Sequence, residues 1–491
     1  MENLTLSEMF EGYKDIDIPN NLASIRPTGI SLSPVDTPPG SLLFITEKAN
    51  GETKSIVPVS PTQKPIAVVI SKALSTFDAP LPQIHTGNVR AALAYALSNV
   101  YKIDYSKTKI IGITGSNGKT TTATLIYNIL KQCGYKVGFI GTGKIISNDT
   151  QLSATNYSMT TPDSSLLYPT IARMSEDGCQ YIVMEVSSHS IALEKVAPIK
   201  FEYGIFTNLD DEHLDFHKSK EEYFKTKMRL FSSCNKGLFN MDDAFSRKGF
   251  ELTKCKKISF GILYDADTYA TEIHLDTSGI SFFYREKNLI FKVKSKLIGA
   301  FNVYNLIAAI KCVTDLGIKP CIAKSAVEKI DSIDGRMEII EEKITVFIDY
   351  AHTPSAFYNC LKTIKQGLNN KQNLHIVFGC GGDRDKRKRP LFGKYAAVFA
   401  DEIIITEDNC RNESFDIICS DIISGIAEKE YKIIPDRETA IKYALKSAKE
   451  GDAVAIVGKG HERYKIVGDN YIPFDEREII RHALKERADE E

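Results

Sequence analysis

The sequence predicts an α/β fold in three domains, and three observations carry that expectation. The chain has 491 residues, room for about three domains at roughly 150 residues each. Strand and helix alternate from Lys109 onward, which is the pattern of a parallel sheet with covering helices. The alternation restarts after Gly335, and that restart marks a second sheet. The segments fall at 1–107, 108–334 and 335–491, each long enough to bury a core of its own.

Residues 1–107 read as a small mixed α/β domain. Pro34, Pro38, Pro39 and Gly40 punctuate apolar pieces such as SLLFIT and IAVVIS, which read as strands. Asn88 to Val100 is Ala-rich and helical, and YKIDYSKT reads as a linker. In the middle segment KIIGIT is a buried strand, TTTATLIYNILKQC a helix closed by Gly134, and KVGFIGT the next strand. QYIVMEVSS and EYGIFTN are further buried strands. Residues 255–300 alternate every second position, which predicts an antiparallel hairpin insert before the helix NVYNLIAAIKCVTDLG. After SIDGRMEII come four strand candidates, ITVFIDY, LHIVFG, EIIITE and AVAIVG, separated by helical stretches. That last segment reads as a Rossmann-like α/β domain. No internal repeat or low-complexity segment interrupts the chain.

Composition narrows the function. The chain is 43% hydrophobic and 25% charged with a net charge of −1, so neither nucleic acid nor an anionic membrane is an expected partner. No apolar run has the length of a transmembrane helix. The start, MENLTLSEMFEGYKDID, lacks the basic and apolar regions of a secretory signal. Ten cysteines lie scattered with no C-x-x-C pair, the usage of reduced thiols. A cytoplasmic protein acting on small molecules is expected.

The strand KIIGIT runs into Gly115, Ser116, Asn117, Gly118, Lys119, Thr120 and Thr121, then a helix. Glycines let backbone N–H groups turn toward phosphate oxygens, and the helix N-terminus adds partial positive charge. Lys119 is placed to reach terminal phosphates and Thr120 to put a hydroxyl on Mg²⁺. The strict spacing of such a loop has glycine at 113, where this chain has Ile113. ATP is the expected ligand, and the middle segment reads as a P-loop ATPase parallel sheet.

Polar clusters end two of its strands. Glu185, Ser187, Ser188 and His189 follow YIVM, while Asn208, His213 and Asp215 follow YGIFT. Ligands gather at the carboxyl ends of parallel strands, and a carboxylate there beside a phosphate loop suits Mg²⁺. Loop capping is the alternative for each cluster taken alone. Lys227, in EEYFKTKMRLF, shares a helical face with Tyr223, Phe224, Leu230 and Phe231. Either it snorkels outward, or it is buried with a depressed pKa and a reactive neutral amine.

The motifs TGSNGKTT, MTTPDSS, MEVSSHS, FTNLDDEHLDFH, YFKTKMRLF, GAFNVYN, DGRMEI, IDYAHTP, GCGGDRDKRKRP, EDNCRNES, GKGHERYKI and FDERE occur in this order. Together they resemble the Mur ligases, and within them the branch that adds the third peptide residue. The likeness runs from about Lys109 to the end of the chain. It implies ATP- and Mg²⁺-dependent addition of meso-diaminopimelate to the D-glutamyl γ-carboxylate of UDP-N-acetylmuramoyl-L-alanyl-D-glutamate, in peptidoglycan precursor synthesis, by a protein expected to act as a monomer.

Carried over by residue, Gly115 to Thr121 match the ATP loop, with Asn302, Asn305, Arg336 and Asp349 around the nucleotide. Glu185 and His213, with Thr120, match metal ligands. Lys227 matches a lysine carbamylated in the family (N6-carboxylysine), which turns a cation into a carboxylate-like ligand. Thr160, Thr161, Ser187 and Lys195 match contacts to the UDP-muramoyl dipeptide; the family usually has arginine where Lys195 stands. Arg389, Asp408, Asn409, Cys410, Arg411, Gly458 and Glu462 match the diaminopimelate pocket. Lys119, Lys227, Glu185 and His213 are the residues implied to carry catalysis.

Departures bear on specificity. Cys410 replaces the proline of the family's Asp-Asn-Pro-Arg tetrad, which removes a fixed φ and predicts a freer loop. Arg411 remains, and it is the group expected to pair with the distal carboxylate of diaminopimelate; lysine-adding relatives lack it. In the first domain Ser33-Pro34-Val35 stands where the family has Asp-Ser-Arg, and Pro39-Gly40-Ser41 where it has Pro-Gly-Asp. The turn Gly379-Cys380-Gly381-Gly382 has Arg384 at the third glycine of a dinucleotide fingerprint, so NAD is not expected. A lysine-adding ligase, a folylpolyglutamate synthase and a nucleotide-binding descendant without catalysis are the alternatives. The GCGGDRDKRKRP and GKGHE segments speak against the second.

Overall fold

The computed structural model describes residues 4–34, 36–46, 65–73, 81–154, 157–214, 216–468 and 470–490. Val35 and Asp215 lie outside the described residues.

The first segment forms a five-stranded sheet in the order Ile16–Asp17, Gln83–Thr86, Ala67–Ser71, Leu42–Phe44, Ile30–Ser31. All its pairs are parallel except the first. Ala67–Ser71 is buried throughout, as the run IAVVIS requires of a central strand. Helix Val89–Tyr101 packs beneath it, opened by Asn88, whose side chain accepts from Ala91 N at 3.0 Å. Lys102 in the left-handed region closes that helix and begins the linker.

The second segment holds an eleven-stranded sheet whose centre is parallel. From Lys256–Gly261 the order runs Cys234–Asn240, Phe201–Phe206, Lys109–Thr114, Tyr181–Glu185, Val137–Gly141. Lys109–Thr114 is therefore the middle strand, and its carboxyl end feeds the glycine loop. The stretch 255–300 is only in part the expected hairpin insert. Lys256–Gly261 buries Ile258 and Phe260 and continues the parallel sheet; three strands, Thr268–Asp276, Gly279–Glu286 and Leu289–Ser295, then form an antiparallel meander. Its alternation arises because Ile280, Phe282, Tyr284 and Val293 pack toward helix Ala300–Asp315 while the other face meets solvent.

The third segment forms a six-stranded sheet in the order Glu338–Glu341, Thr345–Asp349, Ala453–Val457, Leu374–Phe378, Glu402–Ile405, Lys432–Ile433. The four strands read from the sequence lie consecutively and parallel at its centre. The two edge strands escape a pattern reading because they are short and are not buried. A hairpin, Tyr464–Val467 with Asn470–Pro473, stands apart from this sheet. All ten cysteines are free. Among the described residues no helix is long and apolar enough to cross a membrane.

Candidate active site

The carboxyl ends of the two large sheets face one another across a cleft of about 790 Å³. The glycine loop forms its floor. Gly118 has φ of 84° and serves as N-cap of helix Lys119–Gln132 without a side-chain cap, so the first turn leaves backbone N–H groups open to a ligand. A Cβ at Gly118 would stand 2.6 Å from Asn305 Oδ1; glycine is required both by conformation and by space. Asn305 in turn accepts from Thr122 Oγ1 (3.2 Å) and donates to Asn302 Oδ1 (2.8 Å), which ties the loop to helix Ala300–Asp315. Asn208 anchors the other side: its backbone oxygen accepts from Ser116 N and its Oδ1 from Asn117 N, both at 2.9 Å.

Two lysines converge on the same loop carbonyl. Lys119 Nζ donates to Gly115 O (2.9 Å) and Ser116 O (2.7 Å), and Lys227 Nζ donates to Gly115 O at 3.0 Å. Lys227 is 1% exposed and its ammonium lies 4.3 Å from the Tyr223 ring centroid. It does not snorkel. Helix Lys220–Met228 buries it together with Tyr223 and Phe224. Burial first, and then the charge of Lys119, hold its pKa well below the ordinary lysine value. Burial also lowers Lys119, against the pull of Glu212 and Glu185.

The acidic wall is Glu185, Glu212 and their partners. Glu185 is fully buried and accepts from Thr120 Oγ1 (2.9 Å), Thr142 N (2.8 Å) and Thr142 Oγ1 (3.2 Å). Glu212 Oε1 lies 3.3 Å from His213 Nε2 and 3.0 Å from His352 Nε2. Burial alone would raise the Glu212 pKa, but His213, His352 and Lys119 outweigh it and hold the carboxyl well below its usual range. His213, at φ of 56°, is pushed by burial down to about 3, so its imidazole is neutral at physiological pH. The other oxygen of Glu212 is buried without a hydrogen-bond partner. Among the described residues no three His, Cys, Asp or Glu side chains form a metal cluster. The oxygens of Thr120, Glu185 and Glu212 and the neutral His213 are nonetheless acceptors suited to a hard cation.

The facing wall belongs to the last sheet. Arg336 Nη2 donates to Thr120 Oγ1 at 3.0 Å, and its guanidinium lies 4.5 Å from the Tyr350 ring centroid. Asp349 accepts from Met337 N (2.7 Å) and Ala351 N (2.8 Å); burial raises its pKa, with Arg336 opposing. Ser355 donates to Asp210, and Lys388 Nζ donates to His352 O at 3.0 Å. The two walls therefore touch through side chains directly above the loop.

Deeper in that wall, Asp408, Asn409, Arg411, Gly458 and Glu462 line one end of the cleft. Arg411 Nη1 donates to Gly382 O (2.9 Å) and Asn409 O (3.2 Å). Arg389 and Cys410 do not line it. Arg389 is fully buried, with Glu413 held by both terminal nitrogens (2.8 and 2.7 Å) and Asp421 at 2.8 Å. Its guanidinium braces the loop from behind. The loop has restraints other than a proline ring: Gly382 N donates to Asn409 O (2.9 Å), Glu413 N to Cys410 O (3.0 Å) and Gly468 N to Arg411 O (3.1 Å).

At the other end of the cleft, Thr160 and Ser187 line the surface, while Thr161 is buried and accepts from Ser187 N at 3.0 Å. Lys195 is set back and pairs with Asp163 at 2.5 Å. In the first segment Ser33 O accepts from Thr37 Oγ1 at 2.5 Å and Pro38 O from Ser41 Oγ at 2.6 Å, so these hydroxyls are used within their own loop. Sequence reasoning missed Glu212, Thr142, His352, Tyr350 and Lys388 as cleft residues. Glu212, His352 and Lys388 sit inside the motifs DDEHLDFH, IDYAHTP and DKRKRP; within a charged run the sequence does not say which side chain turns inward.

A glycine–lysine–threonine loop at the end of one parallel sheet, closed over by a second α/β sheet, forms a two-walled cleft. Comparison with known proteins is specific. The Mur ligase middle domain matches residues 113–313, and the Mur ligase, glutamate ligase domain matches residues 335–460. The UDP-N-acetylmuramoyl-L-alanyl-D-glutamate–2,6-diaminopimelate ligase of Caldanaerobacter subterraneus subsp. tengcongensis is 41% identical over 426 residues, 86% of this chain and 87% of its own. The ligase of the same name from Syntrophomonas wolfei is 34% identical, with 99% and 98% covered. A solved structure of a ligase of that name superposes with a TM-score of 0.69 at 28% identity, covering 99% of this chain and 100% of its own. The chain belongs to the Mur ligase family, has its multidomain α/β architecture, and is a ligase.

Proposed function

We propose that this protein joins meso-diaminopimelate to the D-glutamyl γ-carboxylate of UDP-N-acetylmuramoyl-L-alanyl-D-glutamate, with ATP converted to ADP and phosphate. The observation that carries this reading is Arg411, presented on the cleft wall that faces the phosphate loop. A guanidinium suits the second carboxylate of diaminopimelate, which lysine lacks. In this reading residues 1–107 hold the UDP end, 108–334 are the P-loop ATPase domain and 335–491 a Rossmann-like domain for the amino acid.

Gly115 to Thr121 bind the terminal phosphates of ATP, with Lys119 moving from its loop carbonyls onto them. Asn302, Asn305, Arg336 and Asp349 hold the rest of the nucleotide. Thr120, Glu185, His213 and a carbamylated Lys227 hold Mg²⁺, which neutralises charge on the transferring group when bound. Thr160, Thr161, Ser187 and Lys195 orient the UDP-linked dipeptide. A γ-carboxylate oxygen attacks the γ-phosphorus in line, and ADP leaves, giving an acyl phosphate. The amine of diaminopimelate, held by Asp408, Asn409, Arg411, Gly458 and Glu462, then attacks the carbonyl carbon; phosphate leaves and the amide remains. Arg389 and Cys410 act from behind that pocket.

The test is amide formation by purified protein with ATP, the UDP-linked dipeptide and a panel of amino acids. Diaminopimelate is the expected acceptor. Arg411→Ala should lower its kcat/KM about 10- to 100-fold, the worth of one or two charge-assisted hydrogen bonds, and should narrow the gap to L-lysine. Wild-type preference for L-lysine, or undiminished use of diaminopimelate by Arg411→Ala, would promote the lysine-adding alternative.

A further inference from the structure

The acceptor end of the cleft contains a buried cation that none of the pocket's assigned residues explains. Lys459 is 0% exposed, so its ammonium cannot touch a substrate in this conformation. It lies 3.1 Å from Asn409 Oδ1, 3.1 Å from Glu462 Oε2 and 3.7 Å from Asp408 Oδ1. Those are three of the residues that line the pocket. Asn409 is fixed on its other side as well: Nδ2 donates to Glu462 Oε2 at 2.9 Å, and Ile466 N donates to Oδ1 at 2.9 Å.

Each carboxylate thus turns one oxygen inward. Asp408 Oδ1 also accepts from Asn409 N at 2.7 Å. Asp408 Oδ2 and Glu462 Oε1 have no hydrogen-bond partner among the described residues. Gly458 leaves room for this arrangement, since a Cβ there would stand 3.0 Å from Asp408 Oδ2 at a φ of 121°. The other cation behind the pocket, Arg437, is already bound to Glu476 (2.6 Å), Glu407 O (3.2 Å) and Val457 O (3.0 Å).

We infer that Lys459 is the positioning residue of the acceptor pocket, holding Asp408, Asn409 and Glu462 in one array whose outward carboxylate oxygens receive an ammonium group of the incoming amino acid. Removing its charge leaves two half-buried carboxylates beside the Asn409 carbonyl oxygen, and like charges so placed rotate apart or take up protons. Rotation takes the oxygens out of the amino acid's reach, and protonation removes the charge that an ammonium group needs. Burial alone would raise the Asp408 pKa, but Lys459 and then Arg437 outweigh it and the net shift is downward. The array is thereby kept anionic, as an ammonium-binding surface needs. Nothing in the phosphate loop touches Lys459, so the effect belongs to the second half of the reaction alone.

This inference rests on the proposed function, and the experiment separates the two. Full-length Lys459→Met and Lys459→Gln are compared with wild type by steady-state kinetics in each substrate. A second readout is acyl-phosphate formation, trapped by borohydride reduction in the absence of amino acid. The expected result is a rise of at least tenfold in the KM for diaminopimelate. The KM values for ATP and the UDP-linked dipeptide, and the yield of trapped acyl phosphate, should stay within twofold. Lys459→Gln keeps two N–H donors on a shorter side chain while losing the charge, so it serves where the methionine variant does not fold. An unchanged KM for diaminopimelate in either folded variant, or an equal loss of acyl-phosphate formation, overturns the inference. Failure of the proposed function shows elsewhere, in wild type, as absent amide formation with diaminopimelate.

Discussion

Lys227 and Lys459 stand on opposite walls of the cleft, 1% and 0% exposed, yet they are placed for different work. Lys227 has one backbone carbonyl, Gly115 O, and an aromatic ring for company, with a second lysine beside it. Lys459 has two carboxylates and an amide oxygen. Burial, and then the charge of Lys119, depress the Lys227 pKa against the pull of Glu212, whereas Lys459 sits among carboxylate and amide oxygens that pair with its charge. A neutral amine can react with carbon dioxide, whereas an ammonium between carboxylates is a fixed strut. Residue type and burial alone do not distinguish a reactive lysine from a structural one.

The contrast is tested hardest at Lys119, the cation that disfavours charge on Lys227. Lys119→Ala should lower ligase activity by about 10³-fold, the scale set by losing a preorganised charge at a transferring phosphoryl group. Its fold should remain intact, because among the described residues the side chain bonds only to Gly115 O and Ser116 O. Steady-state assay with a melting curve decides the matter; a folded variant keeping most of its activity means the loop does not carry the chemistry.

Lys227→Ala should be the next most damaging, by about 10²-fold or more, and it separates the two lysines by chemistry. A small carboxylate such as acetate can occupy the place of a carbamate, so activity should return in part with acetate. It should not return with ethylammonium, which replaces an amine. Wild-type rate without additives in Lys227→Ala would mean that this lysine is only a packing residue.

The parts legible in the sequence are those where one residue type answers one local demand. KIIGIT reads as a buried strand because Ile110 to Ile113 are apolar, and Gly118 stands as glycine at the loop's left-handed turn. Lys227 was visible as a lysine on an apolar helical face, though snorkelling could be ruled out only by its 1% exposure. Glu212 and Lys459 were not singled out because their roles depend on which side chains of separate segments meet. Glu212 meets His352, 140 positions away, and Lys459 meets Asn409, 50 positions away. Likewise Arg389 reads as a substrate ligand by motif, but its ion pairs with Glu413 and Asp421 form only when the last sheet closes.

The smallest effect expected sharpens the account of the Lys459 wall. Cys410 stands where the family has proline, and a missing φ restraint predicts a loop that wanders. The structure supplies other restraints. Cys410 O accepts from Glu413 N, Arg411 is paired to the Tyr464–Pro473 hairpin through Ile466 O and Gly468 N, and Asn409 is tied to Lys459, Glu462 and Ile466. Arg411 holds a φ of 54°, a left-handed conformation that costs an arginine about 1 kcal/mol and that these bonds sustain. Among the described residues the Cys410 N–H makes no hydrogen bond, so proline would remove no bond there. Cys410→Pro should therefore act mainly on the unfolded chain and raise stability by about 0.4–1 kcal/mol, read as a small increase in Tm. The KM for diaminopimelate should change by less than about twofold, because the array held by Lys459 already fixes the pocket. A large fall in that KM would show that the loop does wander and that proline, rather than the Lys459 array, sets the geometry of the acceptor site.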